Sequence, residues 1–335
     1  MNEEFSNFAR TGTITPRKLA LHLGLLAVTF VTMTVAGILY PFGKISTIPD
    51  DDPRSFAEVI DLVLSLPYRY GHLVYTAVEA LLTNSEYLIY GLSFSLSLLF
   101  ILVSHEMGHY IACRIYKVDA TMPFLIPTPP MIGPAGTFGA FIKITSPLPS
   151  RKAVFDIGVA GPIAGFIALI PVAVIGIMSA QTLDAGVEPL AGGLIFSDPL
   201  LTQMIAAAFD VDLARTIMNP FMAAAWVGLL VTALNLIPSG QLDGGHAVFA
   251  VFGKAIHGWT GRIAFVAMGL LSILGWFYFS SPSGFLITVL LGIMLRVRHP
   301  EPWDMSPLGA KRTAVAVLTL IIFILCFTPF PIKVL

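Results

Sequence analysis

Long apolar segments constrain this chain more than any other feature. Seven stretches carry few charged residues, and several reach the ~20 residues that a helix needs to span a bilayer. They cover about 19–40, 87–116, 153–180, 219–238, 261–279, 284–296 and 313–330. The chain is 56% hydrophobic and 12% charged, whereas soluble domains carry about 25% charged residues. We therefore expect an all-α polytopic membrane protein with about seven transmembrane helices.

The second apolar segment contains the sequence His-Glu-Met-Gly-His at 105–109. On a helix, residues four apart lie on one face, so His105 and His109 can bind one metal ion together. Glu106 then stands beside the ion, as the general base of a metalloprotease does. Because no charged residue occurs between Tyr87 and Val103, we predict that this site lies within a membrane helix. A histidine pair that binds haem or relays protons is a weaker alternative, because Glu106 would then have no role.

Asp243 is the best candidate for a third ligand. A catalytic zinc site has three protein ligands and one open position. Asp243 follows the point at which the fourth apolar segment breaks, at Pro238, and three glycines surround it. Ionisable residues at membrane depth are costly and mark functional sites, and glycines let the backbone approach closely. The predicted cofactor is one Zn²⁺ per chain, bound by His105, His109 and Asp243.

Two further polar residues near this position have open roles. Asn235 either donates a catalytic hydrogen bond to the oxyanion or substrate backbone, or bonds between helices. His246 is a supporting group, an alternative ligand or a satisfied turn histidine, and the last is favoured. The four remaining histidines lack metal-ligand spacing and are predicted to be structural or solvated: His22, His72, His257 and His299.

The segment 120–150 separates the second and third apolar stretches. It contains seven prolines, and no charged residue lies between Asp119 and Lys143. Proline at this density excludes a helix, and non-helical apolar backbone at membrane depth is tolerated only where protein buries it or it lines a cavity. We predict a re-entrant loop or β-hairpin rather than a linker, with a strand edge that binds extended substrate. The predicted substrate-binding residues are Gly136, Thr137, Phe138, Gly139, Ala140 and Phe141.

Lysine and arginine residues indicate the orientation in the membrane. They cluster before the first apolar segment, after the second, around Arg151, and from Arg296 to Arg312. This pattern predicts a cytoplasmic N-terminus and an external C-terminus. The first segment is long for the apolar region of a signal peptide, and no clear small-residue cleavage site follows it. Glu3 and Glu4 argue against a transit peptide, so the segment is expected to be a retained transmembrane helix. The expected location is a prokaryotic cytoplasmic membrane.

Three motifs together resemble the site-2 protease family of intramembrane zinc metalloproteases. They are His-Glu-x-x-His at 105–109, Asn-x-x-Pro…Leu-Asp-Gly at 235–244, and Gly-Thr-Phe-Gly-Ala at 136–140 followed by Ala-Gly-Pro at 160–162. The resemblance covers about 87–246. It implies a core of three membrane helices, with zinc ligands His105, His109 and Asp243 and a catalytic Glu106. It also implies membrane-anchored protein substrates that are cut within or near their transmembrane segments.

These observations divide the chain into three parts. An N-terminal helix and interfacial segment, 1–86, precede a catalytic core, 87–250, and C-terminal transmembrane helices, 251–335. The expected partners are membrane-anchored substrates and the lipid bilayer, and no basic tract indicates nucleic acid. The main alternative is a metal or ion transporter that uses the histidine and aspartate set without proteolysis. A catalytically inactive homologue that binds transmembrane partners is a third hypothesis. The presence of Glu106 and the lack of internal repeats favour the protease.

Overall fold

The computed structural model describes residues 15–46, 55–131, 133–182, 193–297 and 299–334. Glu3, Glu4 and Arg298 lie outside these residues. The helices of the described part are α1 (Pro16–Ile38), α2 (Phe56–Thr83), α3 (Ser85–Ile115), α4 (Arg151–Met178), α5 (Leu200–Ala208), α6 (Pro220–Asn235), α7 (Asp243–Phe252), α8 (Lys254–Phe279), α9 (Ser283–Met294) and α10 (Ala310–Cys326). The strands are β1 (Phe124–Pro127), β2 (Thr137–Phe141), β3 (Gln181–Thr182), β4 (Leu194–Phe196), β5 (Thr216–Ile217) and β6 (Ile332–Val334).

Four of these helices, α1, α3, α4 and α8, are long and apolar enough to cross a membrane. The shorter helices α6 and α9 are also apolar. The last predicted segment forms α10, so each of the seven predicted apolar segments forms a helix. The prediction of a helical membrane protein is confirmed. Between the first two segments, Phe56–Thr83 form a single helix, α2. It packs on the rest of the protein through Leu73 and Ala77, and it also exposes apolar side chains, among them Leu64 and Leu82.

Helices α3, α4 and α6 form the centre of the fold. α3 packs mainly against α4, and both pack against α6. Phe94 and Leu98 of α3, Leu169 of α4 and Leu229 of α6 are fully buried in one apolar cluster. The ends of these helices are defined by side-chain caps: the hydroxyl of Ser150 accepts from Ala153 N–H at the start of α4. The three helices bring residues from distant parts of the chain into one interior.

Contacts between loops define two ends of the molecule. At the first, the N–H of Arg151 donates to the carbonyl of Asp304 over 2.7 Å. We call this the basic end, after the lysine and arginine residues that gather there. At the opposite end, the Tyr90 hydroxyl donates to the carbonyl of Phe42 over 2.8 Å, and β4 pairs with β6. Cys113 lies near the basic end and Cys326 near the other, and both are buried and unpaired. Basic residues gather at the basic end: Arg114, Lys117, Lys143, Arg151, Lys152, Lys254, Arg296, Lys311 and Arg312.

The proline-rich segment forms a hairpin in which β1 and β2 pair in antiparallel register. The hairpin lies along α1. Pro123 accepts a hydrogen bond from the ring of His22 (3.3 Å), and Thr32 donates its hydroxyl hydrogen to the carbonyl of Gly136 (2.8 Å). A Cβ atom on Gly136 would lie 2.5 Å from the Thr32 carbonyl oxygen, and the backbone has φ +78° there, so glycine is required at this close approach. The hairpin is therefore fastened to α1 at both of its ends.

Candidate metal centre

His105 and His109 project from one face of α3 into the interior. Both side chains are buried, and their Nε2 atoms lie 3.2 Å apart. The spacing of four residues on a helix produces this approach. The side chain of Glu106 is also buried and belongs to the same group, in which the potential ligand atoms lie within 4.8 Å of one another. The structure therefore brings together all three residues of the motif.

Asp243 reaches the histidine pair because α6 stops at Asn235 and α7 begins at Asp243 itself. The connecting turn contains Gly240 in the left-handed region, with φ +55°. A Cβ atom on Gly244 would lie 2.0 Å from the carbonyl oxygen of Leu236. Only glycine fits a turn that folds back this tightly. The turn brings the Asp243 carboxylate beside the two histidines of α3.

Three potential ligand atoms form a nearly regular triangle. The Oδ2 atom of Asp243 lies 3.2 Å from His105 Nε2 and 3.3 Å from His109 Nε2, and the two nitrogens are 3.2 Å apart. Zinc binds imidazole nitrogen and carboxylate oxygen at about 2.0–2.2 Å, so two corners of a zinc tetrahedron are about 3.3–3.6 Å apart. The triangle matches three such corners closely, and the donor set fits a zinc ion with one open position.

The orientation of His109 is fixed by α4. Its Nδ1–H donates to the carbonyl oxygen of Ile157 over 2.7 Å, which leaves the Nε2 lone pair free for a metal. A Cβ atom on Gly161 would lie 2.0 Å from His109 Nε2, and one on Gly165 would lie 3.0 Å from the Cβ of His105. The small residues of α4 therefore give both histidines the room that they occupy.

The hairpin contributes a backbone contact to the same centre. The backbone N–H of Ile142, the residue after β2, faces the Glu106 carboxylate. The carbonyl of the next residue, Lys143, accepts from Thr121 N–H over 2.9 Å. Because backbone groups alternate in direction along a strand, the groups of Ile142 and Ala140 point to the edge opposite β1. Glu106 thus lies at this outer edge of the hairpin.

The predicted substrate residues have two kinds of environment. Gly136 is packed against α1, and the buried Thr137 donates its hydroxyl hydrogen to the carbonyl of Ile126 over 2.9 Å, so both hold the hairpin together. Phe138 and Phe141 expose about half of their side chains, at 58% and 44%. Ala140 is buried, and Gly139 has φ +105°. The side chains of Phe138 and Phe141 are therefore the exposed part of the predicted substrate site.

Asn235 lies beside the ligand triangle. Its side chain is half-buried, and its Nδ2 atom is 3.4 Å from His105 Nε2. This position, at the last residue of α6, borders the open side of the histidine pair. An amide donor is therefore available next to the predicted metal position.

His246 bonds to a residue that the sequence did not connect to it. Burial lowers the pKa of His246 to about 4, and burial followed by the proximity of His246 lowers the pKa of His299 to about 3, so both rings are neutral. His299 Nδ1–H donates to the carbonyl of Pro300 (2.7 Å), and His299 Nε2 then accepts from His246 Nδ1–H (2.7 Å). His246 therefore forms a hydrogen-bonded pair with His299.

A cavity of about 700 Å³ opens at the basic end. Its wall includes Gly240, in the turn that precedes Asp243, together with His257, Arg262 and His299. His257 donates its Nε2–H to the carbonyl of Gly240 over 2.9 Å. The cavity thus borders the turn that carries the third candidate ligand.

Sequence reasoning missed the backbone groups of Ile157 and Ile142, which contact the site through the main chain and carry no motif. A signal existed for the first of these. Gly158, Gly161 and Gly165 recur at helical spacing, which marks the face of α4 that packs closest to another element. No sequence signal connects His299 with His246.

Comparison with known proteins places the chain in a family. Residues 93–275, more than half of its 335 residues, match the family model described as Peptidase family M50. The chain belongs to peptidase family M50. This is the site-2 protease family, so the resemblance stated from the motifs is confirmed.

Several relatives of this M50 chain are curated. It is 31% identical over 302 residues to "Probable zinc metalloprotease EGY1, chloroplastic" of Oryza sativa subsp. japonica, covering 85% of this chain and 46% of the relative. It is 31% identical over 265 residues to the protein of the same name from Arabidopsis thaliana, covering 77% and 44%. The chain therefore spans less than half the length of these relatives.

One solved structure, titled "Site-2 Protease from Methanocaldococcus jannaschii", aligns with this chain. The alignment has a TM-score of 0.36 and 15% identity, and it covers 72% of this chain and 89% of that chain.

Proposed function

We propose that this M50 chain is a membrane-embedded zinc metalloendopeptidase. The observation that carries the proposal is the triangle of His105 Nε2, His109 Nε2 and Asp243 Oδ2, with Glu106 beside it. A zinc ion bound by these three residues supplies a Lewis acid that polarises the peptide carbonyl and activates water. The names of the curated relatives agree with this activity.

Glu106 is proposed as the general base and acid. Its carboxylate accepts a proton from the water molecule as the water oxygen attacks the carbonyl carbon of the peptide bond. It then delivers that proton to the amide nitrogen as the carbon–nitrogen bond breaks, which releases an amine and a carboxylic acid. The backbone N–H of Ile142 faces this carboxylate and is proposed to help position it. The Nδ2 group of Asn235 is proposed to donate to the oxyanion or to the substrate backbone.

The outer edge of β2 is proposed to bind the substrate. Within the described residues, β2 pairs with β1 alone, so its other edge has backbone groups for a further strand. An extended peptide that pairs with this edge lies beside Glu106, because the backbone groups of Ile142 point to the outer edge and face Glu106. Phe138 and Phe141 provide exposed apolar surface next to it. The proposed substrate segment is therefore extended and apolar.

The substrates are proposed to be membrane-anchored proteins cut within or near a transmembrane segment. A transmembrane helix satisfies its peptide groups through internal hydrogen bonds, so it has to unwind before Glu106 and the water molecule can act. Pairing with the β2 edge replaces the hydrogen bonds that unwinding breaks. The hairpin follows α1 between His22 and Thr32, a rise of about 15 Å along a helix, which supports a re-entrant position.

We propose seven crossings, with the basic end on the cytoplasmic side. The direction of α1, α3, α4, α6, α8, α9 and α10 alternates between the two ends, and the basic residues at one end support this orientation. The cavity that borders Gly240 opens at that end and is proposed to admit water. We also propose that the chain divides into an N-terminal part, 1–86, a catalytic core, 87–250, and C-terminal transmembrane helices, 251–335. The chloroplastic relatives do not support the prediction of a prokaryotic cytoplasmic membrane.

The transporter hypothesis is not favoured. A transporter that carries a metal ion needs no general base next to its first histidine, whereas Glu106 is buried beside the ligand triangle. The hypothesis of an inactive homologue has no support either, because His105, Glu106, His109 and Asp243 are all present and close together.

The proposal is tested with the full chain purified in detergent and reconstituted with a membrane-anchored model substrate. Glu106→Gln keeps the shape of the side chain but removes the base. We expect it to bind one zinc ion and to cleave about 10²–10⁴-fold more slowly than wild type. Glu86→Gln is the matched control, because Glu86 lies on the same helix and is exposed. A Glu106→Gln variant that cleaves at the wild-type rate would refute the proposed mechanism.

A further inference from the structure

Arg312, near the start of α10, forms a bidentate ion pair with Asp156 in the first turns of α4. Arg312 Nε lies 2.9 Å from Asp156 Oδ1, and Arg312 Nη2 lies 2.7 Å from Oδ2. Both side chains are about 30% exposed. The planar guanidinium fixes the direction of the carboxylate as well as its distance, which a lysine cannot do.

Tyr116 joins this ion pair from the end of α3. Its hydroxyl donates a short hydrogen bond to the Asp156 carboxylate and accepts one from Arg312 Nη2 over 3.0 Å. The three side chains, Tyr116, Asp156 and Arg312, form a clamp that ties α3, α4 and α10 together at the basic end. Arg312 lies outside the residues that match the family model, 93–275.

The clamp lies on the elements that orient His109. Tyr116 follows His109 by seven residues, so it lies about two turns further on the same face of α3. Asp156 immediately precedes Ile157, whose carbonyl accepts the Nδ1–H of His109 over 2.7 Å. The clamp therefore joins α3 to α4 close to the point at which the separation of the two helices sets that hydrogen bond.

The distance between α3 and α4 can change little at His109. A Cβ atom on Gly161 would lie 2.0 Å from His109 Nε2, so α4 is already in contact with the ring. If the start of α4 moves away from α3, the Ile157 carbonyl leaves His109 and the ring can rotate. Groups that hold a metal-binding histidine through its second nitrogen change metal affinity by about 10–100-fold.

We propose that Arg312 is a positioning residue of the metal centre, which acts through Asp156 and the Ile157 carbonyl on His109. The inference rests on the proposed zinc site. It assigns part of that site to the C-terminal region of the chain, where the residues 276–335 have no match to the family model. Arg312 touches neither zinc nor substrate, and its effect is on the geometry with which His109 binds.

The test uses the full chain in detergent, prepared without metal and with zinc. The variants are Arg312→Lys, Tyr116→Phe and the control Glu301→Gln. The control removes an exposed ion pair between Lys254 of α8 and Glu301, in the loop that precedes α10. Zinc affinity is measured by competition with a chromophoric chelator, and Tm is measured in both states. We expect Arg312→Lys to raise the zinc Kd about 10-fold and to reduce the gain in Tm on zinc binding. Tyr116→Phe should change both quantities less, and Glu301→Gln should behave like wild type.

A structural role alone gives a different result. If Arg312→Lys lowers Tm equally in both states and leaves the zinc Kd at the wild-type value, the inference is wrong. If Glu301→Gln changes the zinc Kd as much as Arg312→Lys, the effect belongs to the loop in general, and the assignment to Arg312 is also wrong. A wild-type chain that binds no zinc would overturn the proposed function, and this inference with it.

Discussion

His109 donates its Nδ1–H to the carbonyl oxygen of Ile157 over 2.7 Å. This one hydrogen bond decides which nitrogen of the ring can bind a metal, because a neutral imidazole has one donor and one acceptor nitrogen. The acceptor, Nε2, is the atom that lies in the ligand triangle with His105 and Asp243. The position of α4 therefore determines which nitrogen of His109, on α3, is available to bind a metal.

Gly161→Ala should damage the metal centre directly. A Cβ atom at this position would lie 2.0 Å from His109 Nε2, so the ring or the helix has to move. We expect zinc affinity to fall at least about 10-fold, as measured by chelator competition. Gly24→Ala is the control, because a Cβ atom there meets nothing within 4 Å. Equal zinc affinity in the two variants would show that the His109 ring has more freedom than the structure indicates.

Asp243→Asn tests the third ligand. The substitution keeps the shape of the side chain but removes the negative charge that faces both histidines at 3.2 and 3.3 Å. Wild type should be stabilised by about 2.7 kcal/mol at a free zinc concentration of 100 times its Kd. At the same zinc concentration the variant should show a much smaller gain in Tm. An undiminished gain would exclude Asp243 as a ligand.

Asn235→Ala separates catalysis from metal binding. Its Nδ2 atom borders the site at 3.4 Å from His105 Nε2, but it is not one of the three ligands. We expect cleavage to fall about 10²–10³-fold, as the loss of one oxyanion donor does, with unchanged zinc stoichiometry. The isosteric Asn235→Asp, which has no N–H donor, should lose a similar amount. If both variants cleave normally, the residue only bonds between helices, which is the alternative that the sequence left open.

Strand addition at β2 predicts a period of two in the substrate. Every second backbone N–H of an extended peptide would pair with the outer edge, where Ile142 and Ala140 point. A single N-methyl group, moved one position at a time along a model substrate, should therefore block cleavage at every second position. The measurement is the initial cleavage rate for each peptide at fixed enzyme concentration. A uniform effect at all positions, or none, would contradict the proposed edge.

Local sequence was sufficient to predict the elements that carry the centre. The spacing of His105 and His109 on an apolar helix, the broken segment before Asp243 and the proline density of the hairpin each impose a structure through backbone sterics. These elements appear where predicted. The amphipathic stretch 55–83 also forms a helix, although as one helix through Pro67.

The contacts that the sequence did not predict join residues far apart in the chain. Arg312 and Asp156 are separated by 156 positions, and His246 and His299 by 53. Such pairs depend on how complete helices pack, and neither pair carries a local pattern. The sequence also could not decide the number of membrane crossings, because α6 and α9 are too short for hydropathy alone to show whether they span the membrane.

Zinc X-ray absorption of the purified full chain, combined with metal analysis of wild type and Asp243→Ala, shows whether His105, His109 and Asp243 bind zinc. We predict one zinc ion per wild-type chain, with two imidazole nitrogens and further oxygen ligands at about 2.0–2.2 Å, and loss of the ion in Asp243→Ala. A wild-type chain that retains no zinc, or a zinc ion with a sulfur ligand, would contradict the account.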